Sequence, residues 1–157
     1  MSNPNHDLNK RAVRSLFEDG FNHQRGDVLA AVVAPEYVDA FGEHGAAAFE
    51  KVIAGLRGGF PDIEYTVEEL VAEDDAVAAR WHWTGTHRGV FRGLAPTERR
   101  VTNNGLAIFH LRAGKVVAAT LETDRLGFLQ GIGVVPPNEA LFGARVPPKP
   151  DPSPLSA

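Results

Sequence analysis

The chain has 157 residues, a formal net charge of −4, 43% apolar residues and no cysteine. This suits one domain with a substantial core; it excludes disulfide scaffolds, thiolate metal sites and cysteine nucleophiles, and makes a cytoplasmic location the default. No apolar run reaches the ~18 residues of a membrane span, the opening "MSNPNHDLNKR" lacks a secretory apolar segment, and the acidic balance argues against a nucleic-acid partner.

Leu8, Ala12, Val13, Leu16, Phe17 and Phe21 recur at helical spacing, predicting a first helix over "DLNKRAVRSLFEDGF" with Asp7 as its cap. "RGDVLAAVVAP" predicts a short second helix, capped near Asp27 and stopped before Pro35. "EYVDAF" reads as extended or irregular. Phe49, Val52, Ile53 and Leu56 predict a third helix ending at Gly58 and Gly59.

From Phe60 the apolar period falls to two. Ile63, Tyr65 and Val67 alternate with Glu64, Thr66 and Glu68, a half-buried strand ending in a turn at Glu73 to Asp75. A longer strand, "AVAARWHWTGTH", runs into a Gly-rich loop from Arg88 to Thr97. The basic cluster there, "RGVFRGLAPTERR", contains Glu98 and reads as a solvated loop. "RRVTNNGLAIFHL" and "KVVAATLETD" then form a hairpin about "RAGK". Helices first and sequential antiparallel strands afterwards make an α+β domain over residues 1–133. Residues 134–157 hold seven of the eleven prolines and read as a Pro-rich tail, with one apolar island, "ALFGARV", able to dock.

With Ala113 and Gly114 as a two-residue turn, Arg112 faces Lys115. Asn103, Gly105, Ala107 and Phe109 then share a face with Ala118, Thr120, Glu122 and Asp124. That face is small and apolar with polar groups at one end, which suits a cavity. The other face carries Asn104, Leu106, Ile108, His110, Val117, Ala119 and Leu121 and suits an oligomer interface. One β-bulge would exchange the faces, so Asn104 and His110 stay candidates for the pocket.

Two readings of Asp124 fit its position. In a pocket, lost hydration and the neighbouring Glu122 raise the pKa of one carboxyl towards neutrality, the condition for proton exchange with a carbon acid. Otherwise Asp124 caps a helix starting at Arg125 and Glu122 lies in solvent. Trp81, Trp83 and His87 share one parity; the indoles form a flat wall for a ring-shaped ligand or simply fill the core. His87 ends its strand, placed to donate to a carbonyl or to sit in a surface loop. His6, His23 and His44 lack partners at ligand spacing, so no metal is expected; GxGxxG, GxxxxGK[ST] and HExxH are all missing.

The segments "FPD", "RWHWTGTHRGVFRG" and "GKVVAATLETDRLGFLQ" resemble the SnoaL-like polyketide cyclase family of the nuclear transport factor 2-like superfamily. The resemblance covers about Leu8 to Ile132. It implies a cone-shaped α+β barrel in which N-terminal helices pack on a curved, mainly antiparallel sheet enclosing an apolar cavity. It also implies a cofactor-independent, metal-free enzyme, with Asp124 as general acid/base in an intramolecular aldol closure and His110 holding the enolate oxygen. A hydrophobic, carbonyl-bearing, polyketide-like substrate and a homodimer or higher homo-oligomer follow from the same resemblance. Asn103 or Asn104 would assist at the oxyanion, and Trp81, Trp83, His87 and Phe41 would shape the cavity. The chain departs from many relatives at Ala40–Phe41, where a His follows "VD", at Thr120, where a Trp stands, and at His82. An isomerase, dehydratase or epoxide hydrolase (the last needing an Asp–Arg–Asp set, with Arg80 or Arg100 as the cation) and a non-catalytic ligand-binding module are the competing readings.

Overall fold

A computed structural model describes residues 4–143. Helix α1 spans Pro4–Ser15 and runs directly into a π-helical turn, Leu16–Phe21. The wider turn, seen in the Asn22 N–H to Phe17 O bond at 3.1 Å, brings Leu16, Phe17 and Phe21 all onto the buried side. Asp7 lies in the first turn rather than at the cap, because the helix begins three residues earlier, at Pro4. Helix α2, Gly26–Val32, has no side-chain cap; Asp27 pairs instead with exposed Arg25 at 2.6 Å. Helix α3, Gly45–Gly59, packs on α2.

Four strands follow: β1, Glu64–Glu73; β2, Ala76–Thr86; β3, Arg100–Arg112; and β4, Lys115–Thr123. They form an open antiparallel sheet in the order β1-β2-β3-β4. Their concave face receives α1 and the π turn, and the core concentrates there around Val13, Phe17, Phe21, Tyr65, Trp81 and Phe109. Phe17 alone lies within 6.0 Å, centroid to centroid, of Phe21, Tyr65, Trp81 and Phe109. The outer edge of β1 is closed by a side chain. Asn22 Nδ2 donates to Tyr65 O at 2.9 Å, and Tyr65 N–H donates back to Asn22 Oδ1 at 2.7 Å.

Register decides which side chains face inward. Ala113 and Gly114 both have positive φ, so the predicted two-residue turn forms with Arg112 opposite Lys115. Two residues on, the register shifts: Leu111 faces Val116, but His110 faces Ala118, leaving Val117 as a bulge. Beyond it Phe109 faces Ala119, Ala107 faces Leu121 and Gly105 faces Thr123. The inner face of β4 is therefore Ala119, Leu121 and Thr123. The expected set of Ala118, Thr120 and Glu122 lies on the outer face, because one extra residue inverts every later side chain.

Helix α4, Arg125–Gly131, closes the sheet's far end, and a short helix α5, Asn138–Phe142, follows. Gln130 Nε2 ties this last segment down, donating to Pro136 O and Asn138 Oδ1, each at 2.9 Å. Leu141 and Phe142 of the apolar island are exposed; the island's end and the rest of the tail lie outside the described residues. Among the described residues no helix is long and apolar enough to cross a membrane.

Candidate functional site: an uncovered trough on the concave face

The concave face is covered unevenly. Under β2 and β3 its side chains are buried: Ala79, Trp81, Trp83, Ala107 and Phe109. Under β4 they are not. Leu121 is 52% exposed although it points inward, and Ala119 and Thr123 are only half-buried. Gly105, Ala107 and Ala119 supply little bulk beside it, so the inner face at β4 is an apolar strip left partly open to solvent, called the trough below. Trp81 and Trp83 stand at its back. Phe128 of α4 closes one end, with its ring 5.7 Å from Trp83, 5.7 Å from Phe60 and 5.8 Å from Phe91.

The loop between β2 and β3 braces that end. Arg88 and Gly89 N–H both donate to Gly59 O at 3.0 Å, and Phe91 lies against Gly59. A Cβ on Gly59 would sit 2.7 Å from Phe91 Cβ, so the helix terminus must be glycine there. Asp62, of "FPD", takes Thr86 N–H at 2.6 Å and Thr86 Oγ1–H at 2.8 Å. Those bonds, the backbone one foremost, hold its carboxyl below the usual range. Burial pushes the Tyr65 phenol in the opposite sense, upward, against a smaller downward effect of Arg57.

Asp124 stands where β4 ends and α4 begins. Its backbone N–H donates to Asn104 O at 3.0 Å, and its carboxylate caps α4, with Oδ1 accepting from Gly127 N–H at 2.8 Å. A Cβ on Gly127 would meet Oδ2 at 2.3 Å, so glycine at this position leaves room for the carboxylate. Asp124 is exposed, its side chain turned along the helix end, so the burial expected of a pocket carboxylate is missing. Glu122, displaced by the bulge, is exposed on the outer face opposite Leu106.

His110 is also on the outer face, between Ala76 and Ala118, half-exposed, with Nδ1 3.6 Å from Asp75 Oδ1. The sheet separates it from the trough. Asn104 faces outward beside His82. Phe41 is 88% exposed, held out by a turn in which Asp39 Oδ1 accepts from Phe41 N–H at 2.8 Å and Glu43 N–H at 2.9 Å. Arg80 bridges two carboxylates, Glu68 and Glu69, but on the outer face, and Arg100 reaches Asp62 at 3.6 Å. Neither makes an Asp–Arg–Asp set in the trough. Among the described residues no group of three His, Asp or Glu side chains could hold a metal ion.

Three expected residues do gather inside. Trp81 and Trp83 are buried on the inner face, and Asn103, opposite Trp83, is half-buried with Oδ1 sealed from solvent. His87 is fully buried rather than in a surface loop. It stacks on Phe60 at 5.1 Å with Nδ1 3.1 Å from Thr97 Oγ1, and its Nε2 has no partner. Sequence reasoning missed Leu121, Thr123 and Phe128. The parity error put Leu121 on the outer face and gave Thr123 no place; Phe128 was legible only as an apolar residue four after Asp124.

The SnoaL-like polyketide cyclase family profile matches residues 11–132. Among solved structures, a candidate SnoaL-like polyketide cyclase from Jannaschia sp. CCS1 is 27% identical, with a TM-score of 0.75, covering 87% of this chain and 99% of that one. IdmH of Streptomyces antibioticus, named as a candidate polyketide cyclase, is 26% identical at a TM-score of 0.69, covering 80% and 98%. AclR of Streptomyces galilaeus, named as a candidate hydroxylase, is 26% identical at 0.73, covering 87% and 88%. No curated protein matches the chain. A profile spanning most of the chain and neighbours sharing its helices-on-sheet architecture agree: the chain belongs to the SnoaL-like polyketide cyclase family.

Proposed function

We propose that the chain is a cofactor-independent cyclase acting on an apolar, carbonyl-bearing ring system laid in the trough, with Asp124 as general acid/base. One observation carries this reading: the concave face is uncovered at Leu121, and the strand that carries Leu121 ends at Thr123, one residue before Asp124. In its ionised form the carboxylate removes a proton α to a substrate carbonyl. The resulting enolate carbon attacks a second carbonyl carbon, forming a C–C bond, and the new alkoxide takes the proton back from Asp124. The sequence is redox-neutral and regenerates the base, so it needs no electron carrier. The protein's contribution is to fold the substrate against Leu121 and Phe128 so that the two carbons meet.

The test is α-proton exchange of 2-tetralone in D2O, followed by NMR. Wild type accelerates exchange, and Asp124→Asn reduces it at least ~100-fold, the lower end of general-base contributions. Equal rates in the two proteins would sink the assignment. A second reading, a ligand-binding module without chemistry, is favoured by the engagement of Asp124 as a helix cap. It predicts that Asp124→Asn binds 2-tetralone as wild type does and that neither protein speeds exchange. The outer face, exposing Val71, Leu106 and Ile108, serves in our proposal as a homodimer surface. Ile108→Glu would then lower the sedimentation mass, and a wild-type monomer would refute that part.

A further inference from the structure

Four buried side-chain polar atoms among the described residues have no hydrogen-bond partner: Arg57 Nε, Trp81 Nε1, His87 Nε2 and Asn103 Oδ1. Arg57 already donates through its other nitrogens to the Phe21, Asn22 and Pro61 carbonyls. His87 sits beyond Phe60, at the strand end. Trp81 and Asn103 are different, because they are diagonal neighbours on one face of adjacent strands: Trp83 is opposite Asn103 and Trp81 is opposite Gly105. Such diagonal pairs stand about 7–8 Å apart. One offers an N–H, the other a carbonyl oxygen. An unpaired buried polar group destabilises a fold, so each needs a cause, and a ligand or bound molecule is one.

Gly105 strengthens the case. Glycine in mid-strand weakens a sheet and marks a place where something approaches the backbone closely. Here that is the Trp81 ring: a Cβ at residue 105 would fall 2.1 Å from Cζ2 and 2.5 Å from Cε2 and Cη2. Cε2 bears Nε1, so the missing Cβ fixes where the N–H lies. The ring lies over Gly105, whose partner on β4, Thr123, is half-buried. Asn103 is likewise half-buried as a residue while its Oδ1 is sealed.

We infer that Trp81 Nε1–H and Asn103 Oδ1 form a paired donor–acceptor subsite for a substrate bearing both a carbonyl and a hydroxyl group on one apolar ring system. The carbonyl accepts from Trp81 and the hydroxyl donates to Asn103. The inference rests on the trough of the proposed function but not on Asp124, since it concerns binding alone.

Four probes of one skeleton test it by calorimetry: tetralin, 1-tetralone, 5,6,7,8-tetrahydro-2-naphthol and 6-hydroxy-1-tetralone. In wild type each polar group strengthens binding roughly three- to tenfold, the effect of one net hydrogen bond. Trp81→Phe abolishes the carbonyl increment and keeps the hydroxyl one; Asn103→Leu does the reverse. Should Trp81→Phe fail to fold, the indole N–H resonances of 15N-labelled wild type decide. One moves downfield with 1-tetralone and stays fixed with tetralin. Equal weakening of all four probes in both variants, an indole signal indifferent to the carbonyl, or no binding of any probe to wild type would overturn the subsite. Loss of proton exchange in Asp124→Asn with both increments intact would leave it standing, and unaltered exchange in Asp124→Asn with the increments intact would remove only the catalytic reading.

Discussion

Replacing Gly105 by alanine probes the packing on which the trough depends. The added Cβ would lie 2.1 Å from Trp81 Cζ2, whereas carbon atoms pack at about 3.5–4.0 Å. The indole must therefore withdraw by well over an ångström, into rings already in place: Phe17 at 5.8 Å and Tyr65 at 5.5 Å, centroid to centroid. Overpacking of this kind costs about 1–3 kcal/mol. The entropic gain from removing a strand glycine offsets about 0.5–1 kcal/mol. A net loss of about 0–2.5 kcal/mol remains, which lowers Tm by up to roughly 10 °C for a chain of this size. Differential scanning calorimetry reads the shift, and tryptophan fluorescence reads the displaced ring. A variant as stable as wild type, with an unchanged emission spectrum, would refute the close approach of Trp81 to β3.

Asp62→Ala removes two bonds to Thr86 and should cost about 1–2 kcal/mol at neutral pH. Because the folded carboxyl titrates below its unfolded value of about 3.9, its contribution is complete above that value and disappears as pH falls through the lower folded one. The Tm gap between wild type and variant should therefore narrow below about pH 4; a gap constant to pH 2 would contradict the ion's role. Asn22→Ala leaves the Tyr65 N–H and C=O without their partner on the β1 edge and should cost about 1–3 kcal/mol by urea denaturation. Gly127→Ala should fail to deliver the ~1 kcal/mol gain usual for a helix glycine, since its Cβ would displace the capping carboxylate. Asp124→Asn, by contrast, keeps an equally good cap and should melt within ~0.5 kcal/mol of wild type.

The helices and the strand order were legible because period and turn chemistry are local: Phe49, Val52, Ile53 and Leu56 mark α3, and Ala113–Gly114 marks the hairpin. The site was less so. Its inner residues on β4 were misassigned by a single bulge at Val117, a feature set by how Leu111 and Val116 both reach the core rather than by local composition. Glu122 moved outside with that bulge, whereas His110, on β3, stayed on the outer face where hairpin parity had placed it. Asp124 illustrates a different limit. Aspartate before a helix is written identically whether it caps or catalyses, and the Gly127 contact that engages it here appears only in three dimensions. Trp81 and Trp83 share one buried face, as their common parity required, because alternation along β2 is unbroken from Val77 to Trp83.

Mapping chemical shifts while titrating 2-tetralone into the labelled protein tests the trough most directly. Binding in the trough moves the signals of Asn103, Ala119, Leu121 and Thr123 and leaves Leu106, Ile108 and His110 in place. Shifts confined to those three outer-face residues, with the concave face silent, would contradict the site.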